Sequence, residues 1–171
     1  AIMNNSKNGH HEVMRAEVPG PVFGKVVAKL KNTAQILYII YLGMFVIFAM
    51  ILWICGMPLF DSIVIAMGGA GTGGFAVYND SIAHYNSDLI TYVVTVGTLL
   101  FGVNFNLYFY ILLRKIRFFF QDEELRTYLT IVAVSTSLII LNIFGIYHSL
   151  ANSFKYSFFE VSTIITTTGF G

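Results

Sequence analysis

Three stretches of the chain run without a charged residue for lengths that match a bilayer: Ile36 to Cys55, Leu89 to Leu113 and Tyr128 to Tyr147. An α-helix rises about 1.5 Å per residue, so such a run spans roughly 30 Å, the thickness of a hydrocarbon core. The pattern predicts three transmembrane helices. Two shorter and more polar segments lie among them. Pro58 to Ala70 opens on a proline suited to a first helical turn and closes in glycines. Asn152 to Ile165 opens on Asn152-Ser153, good N-cap residues, and runs into Thr166-Thr167-Thr168-Gly169. At about 10–14 residues each, both fit re-entrant helices better than spans.

Composition supports a membrane setting. The chain is 56% hydrophobic and 11% charged, with mean hydropathy +0.72, where soluble domains carry about 25% charged residues. Of the ten Lys and Arg residues, all but Lys155 fall within 7–31 or 114–126. If 58–76 dips into the membrane and returns, both basic blocks are cytoplasmic, as the positive-inside rule favours. Asp61, Asp80, His84 and Asp88 then lie at or near the outer face. A crossing at 58–76 would put the blocks on opposite sides. The single cysteine, Cys55, excludes an intrachain disulfide.

A short motif occurs twice. Thr72-Gly73-Gly74-Phe75-Ala76 recurs as Thr167-Thr168-Gly169-Phe170-Gly171, and Gly74 and Gly169 lie 95 residues apart (169 minus 74). The same offset pairs Ile36 with Ile131 and Ser62 with Ser157. Each copy follows a long apolar run and then a short helical segment. The expected fold class is therefore an all-α integral membrane protein of repeated transmembrane helix–re-entrant pore helix–filter loop–transmembrane helix units. The expected segments are a cytoplasmic linker and basic approach over 1–32, a complete unit over 33–113, a cytoplasmic basic loop over 114–126, and a truncated second unit over 127–171. The chain has no initiator Met or signal peptide and stops inside the second motif, so an internal fragment of a longer polypeptide is expected.

The candidate chemistry is ion binding by backbone oxygen. A filter replaces the hydration shell of an ion with fixed carbonyls, and glycine permits the backbone angles that aim them. The candidate filter residues are Thr72, Gly73, Gly74, Phe75, Thr167, Thr168, Gly169 and Phe170, the threonines adding hydroxyls and the phenylalanines wedging the loops against neighbouring helices. Glu160, at membrane depth where the first repeat has Ile65, either attracts cations and braces the filter or is held by hydrogen bonds. Asp80 and Asp88 are candidates for concentrating cations at the outer mouth. Asn104, Asn106 and Asn142 fit interhelical hydrogen bonding better than ion ligation. Gly69 to Gly74 formally matches G-x-G-x-x-G, but no helix is expected directly after it, and His10-His11-Glu12 lacks the spacing of a helical zinc site. Asn79-Asp80-Ser81 fits the glycosylation triplet but reads better as a turn. No nucleic-acid partner is expected, and no catalytic residue.

The motifs together resemble the potassium-translocating subunits of the Trk/Ktr/HKT superfamily, in particular its bacterial TrkH branch. Ala16-Glu17-Val18-Pro19-Gly20-Pro21, Gly71-Thr72-Gly73-Gly74-Phe75, Asn79-Asp80-Ser81, Gly102-Val103-Asn104-Phe105-Asn106 and Ile164-Ile165-Thr166-Thr167-Thr168-Gly169-Phe170 carry the resemblance. It implies a bacterial inner-membrane protein with four pore units in one polypeptide, of which the first and fourth are missing here. It also implies a homodimer and a cytosolic nucleotide-binding regulatory ring. The family's key filter glycine falls on Gly74 and Gly169, which favours potassium, bound at the filter carbonyls as substrate, with no other cofactor. The alternatives are a secondary transporter for another cation or small solute built on the same half-helices, and an intramembrane assembly subunit.

Overall fold

A computed structural model of the chain describes residues 23–171 apart from residue 115, with side chains from Ala34 onward. All regular structure among the described residues is helical. In chain order the elements are α1 (Phe23–Ile54), α2 (Leu59–Ala70), a 3-10 turn (Ser81–Tyr85), α3 (Asp88–Phe101), α4 (Phe105–Leu112), α5 (Ile116–Gln121), α6 (Glu123–Tyr147) and α7 (Leu150–Ile165).

The stretches Ala34–Ile54 of α1 and Glu123–Tyr147 of α6 are long and apolar enough to cross a membrane. Their outward residues remain apolar, with Ile54 78%, Leu141 77% and Ile146 73% exposed. Such faces suit lipid and not water. Helix α1 is described from Phe23, so Lys25, Lys29 and Lys31 of the expected basic approach are helical; the expected linker over 1–22 lies outside the described residues. After α1, Gly56 at φ +97° reverses the chain and Met57 is buried beneath it. Pro58 then leads into α2, where Ser62 Oγ donates to the Pro58 carbonyl at 2.9 Å.

The expected span from Leu89 to Leu113 is not one straight helix. It breaks at Gly102-Val103-Asn104 into α3 and α4, bent by 90°. The Asn104 side chain caps α4 by accepting from the Asn106 amide at 3.0 Å. At the end of α3 the Leu99 carbonyl accepts from Tyr128 Oη at 3.2 Å and the Leu100 carbonyl from Tyr108 Oη at 2.6 Å. Hydropathy cannot report this break, because every residue in it is uncharged. Asn104 Nδ2 also donates to Glu124 of α6 at 2.9 Å, an interhelical bond of the expected kind. Asn106 is bonded there through its backbone, and Asn142 is exposed.

The expected loop 114–126 contains α5 and the start of α6. Asp122 caps α6, accepting from the Leu125 amide at 2.8 Å, and Glu123 and Glu124 occupy its first turn, where the helix dipole favours acids. Helix α7 starts a turn earlier than Asn152: Ser149 is its N-cap, and Ser153 is fully buried inside the helix.

One buried cluster joins both repeats. Phe48, Leu52, Met57, Ile65, Ile90, Val94 and Phe101 from the first pack with Phe159 and Phe170 from the second. Lipid removes most of the hydrophobic drive for helix association, so close packing must supply it. Gly97 provides such an approach: a Cβ there would collide with the Phe48 ring.

Gly102 holds the break together in the same way. A Cβ at Gly102 would stand 2.6 Å from Tyr128 Oη and 3.0 Å from Thr166 Cγ2. Gly102→Ala in the complete protein should lower stability by about 1–3 kcal/mol through overpacking. Tyr128→Phe added to it should recover part of the loss, read as Tm in detergent. Additive losses would show that the two residues do not share this contact.

Candidate functional site

Helices α2 and α7 end in the same way, bond for bond. The Gly71 amide donates to Met67, Thr72 to Gly69, and both Gly73 and Gly74 to the Gly68 carbonyl. In the second copy Thr166 donates to Ser162, Thr167 to Ile164, and both Thr168 and Gly169 to Thr163. The distances lie between 2.8 and 3.4 Å, and every bond shifts by the offset of the sequence motif. This is a Schellman closure with threonine in the left-handed position: Thr72 has φ +51° and Thr167 φ +56°. Glycine is usual there, and a threonine costs about 1–3 kcal/mol of local strain. Gly74 and Gly169 follow at φ +61° and +74°.

The closure turns four successive amides back toward the helix. The carbonyls along the loop are left without a protein partner. Among the described residues no donor bonds to the carbonyls of Thr72, Gly73, Gly74, Thr167, Thr168 or Gly169. Each loop also follows a helix C-terminus, whose partial charge is negative. The arrangement suits a cation with its water removed and repels an anion.

The two loops meet. A Cβ on Gly74 would collide with the Thr168 carbonyl oxygen and stand 3.0 Å from the Gly169 carbonyl carbon. Further along, the Ile82 amide donates to the Gly171 carbonyl at 3.2 Å and the Gly171 amide to Ser81 Oγ at 3.4 Å. Phe170 is buried and lies over Gly68 and Gly69, as a wedge should. Phe75, its counterpart, is 74% exposed and wedges nothing among the described residues. The threonines differ too. Thr72 and Thr167 are exposed, whereas Thr168 is buried with its hydroxyl 2.7 Å from that of Thr166. That bond braces the loop.

The acids separate into distinct settings. Asp88 pairs with Lys155 Nζ at 2.7 Å, so it is not the uncompensated charge that the sequence suggests. The bond to Asp88 raises the Lys155 pKa. Asp80 remains exposed, 4.0 Å from His84 Nδ1. Asp61 is buried in the first turn of α2 and accepts from Tyr85 Oη at 2.8 Å. Burial, and then this bond, push the Tyr85 hydroxyl well above its ordinary value. Sequence reasoning placed Asp61 at the outer face but missed the buried bond, since residue 85 lies far along the chain. Glu160 lines a groove bounded by α6, α7, the 3-10 turn and α3, together with Gly171. No group of three or more metal-ligating side chains occurs among the described residues.

Long apolar helices, short helices closed into paired loops and a face suited to lipid define an all-helical integral membrane protein. The sequence model of the family TrkH, described as a cation transport protein, matches residues 1–170. The chain belongs to this family. It is 32% identical over 168 residues to the Trk system potassium uptake protein TrkH of Salmonella typhimurium and 32% identical over 167 residues to TrkG of Escherichia coli K12. Those matches cover 95% and 94% of the chain and 34% of each relative. The chain thus spans about a third of their length. Its fold is similar to the crystal structure of the potassium transporter TrkH from Vibrio parahaemolyticus, with a TM-score of 0.78 and 26% identity, over 83% of this chain and 31% of that one.

The loop contacts give unequal expectations for two matching glycines. Gly74→Ala adds a collision with the facing loop to an unfavourable φ. Gly169→Ala meets nothing within 4 Å and bears only the strain of its φ, about 1–2 kcal/mol. In the complete protein Gly74→Ala should lower Tm in detergent clearly more than Gly169→Ala. Equal effects would place the loops apart.

Proposed function

We propose that this chain supplies two adjacent filter strands of a potassium-uptake pore in a bacterial inner membrane. The observation that carries the reading is the doubled closure: two loops, one bonding pattern, carbonyls free of protein donors, and the loops in contact at Gly74. Thr72, Gly73, Gly74, Thr167, Thr168 and Gly169 would offer backbone oxygens to the ion, and Phe170 would hold the loops in place. Potassium holds its hydration shell less tightly than sodium, so a ring of carbonyls replaces that shell at lower cost. The potassium-uptake relatives favour this cation over other solutes.

Helices α2 and α7 are then re-entrant, with loop 77–88 outside and 114–126 inside. The polar backbone of the loops is tolerable at membrane depth only where it faces an aqueous path or other protein. Asp80 is the outer acid best placed to draw cations by its field, since Asp88 is paired with Lys155. The complete pore would include further units of the same polypeptide, and the assembly a second copy and a cytosolic nucleotide-binding regulatory subunit.

Potassium and sodium uptake by the complete transporter tests the site. Gly169→Ser leaves room for its side chain but perturbs the carbonyl geometry, so discrimination between the two ions should fall several-fold while the protein still reaches the membrane. Unchanged selectivity would remove Gly169 from the filter. Topology is tested separately with single cysteines at Asn86 and Gln121 in an otherwise cysteine-free background of the complete protein. An impermeant thiol reagent on intact cells should label position 86 and not 121. The reverse pattern would overturn the re-entrant assignment.

A further inference from the structure

The outer segment of the first repeat, residues 81–88, is fastened to both short pore-type helices. Tyr85 Oη donates to Asp61 in the first turn of α2 at 2.8 Å. Asp88 holds Lys155 Nζ of α7 at 2.7 Å. Between these ties the 3-10 turn meets the end of the second loop. The Ile82 amide donates to the Gly171 carbonyl at 3.2 Å, and the Gly171 amide to Ser81 Oγ at 3.4 Å. The Ile82 side chain is buried in the cluster that joins the repeats. Ser81 reaches Gly171 from a left-handed backbone, φ +52°. Glycine would carry that angle without strain, but it has no hydroxyl to offer.

The Gly171 amide bears on the carbonyl at the other end of its peptide group. Phe170 C=O and Gly171 N–H belong to one planar trans peptide, in which the two bonds point in opposite directions. With the amide turned to Ser81, the Phe170 carbonyl is turned away from it. No donor among the described residues bonds to that carbonyl, so it continues the row left free at Thr167, Thr168 and Gly169. The Phe170 ring is buried on Gly68 and Gly69, which fixes the same residue from the α2 side. The first repeat lacks this arrangement among the described residues: the Ala76 amide, which matches that of Gly171, has no acceptor, and Phe75 is exposed. The tie to α2 is one-sided too, because the repeat offset puts Tyr156 where the first repeat has Asp61.

We propose that Ser81 is a positioning residue for ion selection. It holds the Phe170–Gly171 peptide so that the Phe170 carbonyl serves as a further oxygen of the second filter strand, and the Asp61–Tyr85 bond holds the turn that carries Ser81. Discrimination by a carbonyl filter depends on the number and placement of its oxygens. A peptide free to rotate would withdraw one of them. The proposal rests on the filter reading above and deepens it. It names a residue outside the doubled motif that acts on selectivity through the last peptide of that motif.

The test uses the complete transporter. Ser81→Gly removes the hydroxyl at a φ that suits glycine, so the protein should still reach the membrane while discrimination of potassium over sodium in uptake falls several-fold. Ser81→Thr keeps a hydroxyl, at a φ that Thr72 and Thr167 already adopt, and should retain discrimination. Unchanged discrimination in Ser81→Gly would overturn the proposal, as would an equal loss in Ser81→Thr. Hydrogen exchange of the Gly171 amide, resolved to that residue by mass spectrometry in detergent, should quicken in Ser81→Gly and not in Ser81→Thr. Unchanged exchange would overturn the proposal even if discrimination fell. Potassium uptake by the unaltered protein is read beside these. Its absence would remove the filter reading and the role in selection with it, while the exchange at Gly171 would still decide whether Ser81 holds that peptide.

Discussion

Unpaired peptide groups cannot face hydrocarbon, and the described structure is organised around that constraint. Helices satisfy it over most of the chain. It becomes acute where they stop, at the ends of α2 and α7 and at the break between α3 and α4. The two helix ends answer by folding successive amides onto one carbonyl, Gly68 in the first copy and Thr163 in the second. The break answers with side chains, as Tyr128 and Tyr108 donate to the carbonyls of Leu99 and Leu100. In the first case amides are satisfied and carbonyls left over. In the second the carbonyls of Leu99 and Leu100 are satisfied too.

The positions of the glycines follow from the same constraint. Gly74 lets two loops touch, Gly97 lets α3 close on Phe48, and Gly102 admits Tyr128 to the break. Each is a place where backbone must approach another group, and a membrane helix bundle has little besides packing to hold it. Threonine at the left-handed positions of both closures goes against this economy. Thr72 and Thr167 are strained where glycine would not be, and local strain retained twice at matching positions is expected of a functional loop more than of a plain turn.

Much of this was legible in the sequence because it depended on local pattern. Charge-free runs located α1 and α6, and the doubled motif located both closures to the residue. The break at Gly102 was not legible by hydropathy, although Gly102 and Asn104 are both breakers that hint at it. The start of α7 was misplaced because Asn152 and Ser153 have N-cap chemistry, yet Ser153 is needed inside the fold. The pairing of Asp88 was not legible because Lys155 reaches it across 67 residues of sequence. Each miss is a tertiary contact, invisible to a window of a few turns.

Differences between the repeats are as informative as their likeness. Phe170 is buried on Gly68 and Gly69, while Phe75 is exposed; Ile65 is buried under α3, while Glu160 is open. Both asymmetries have the same form. A residue is covered where the adjoining element is present among the described residues, and open where the repeat supplies none. The first pair differs only in surroundings, since both members are phenylalanine. The second differs in chemistry, and chemistry at a matched position distinguishes what one unit must recognise from what its neighbour merely packs. An isoleucine accepts any apolar helix of suitable shape. A carboxylate in the same place does not, because burying it without a partner of opposite charge is costly.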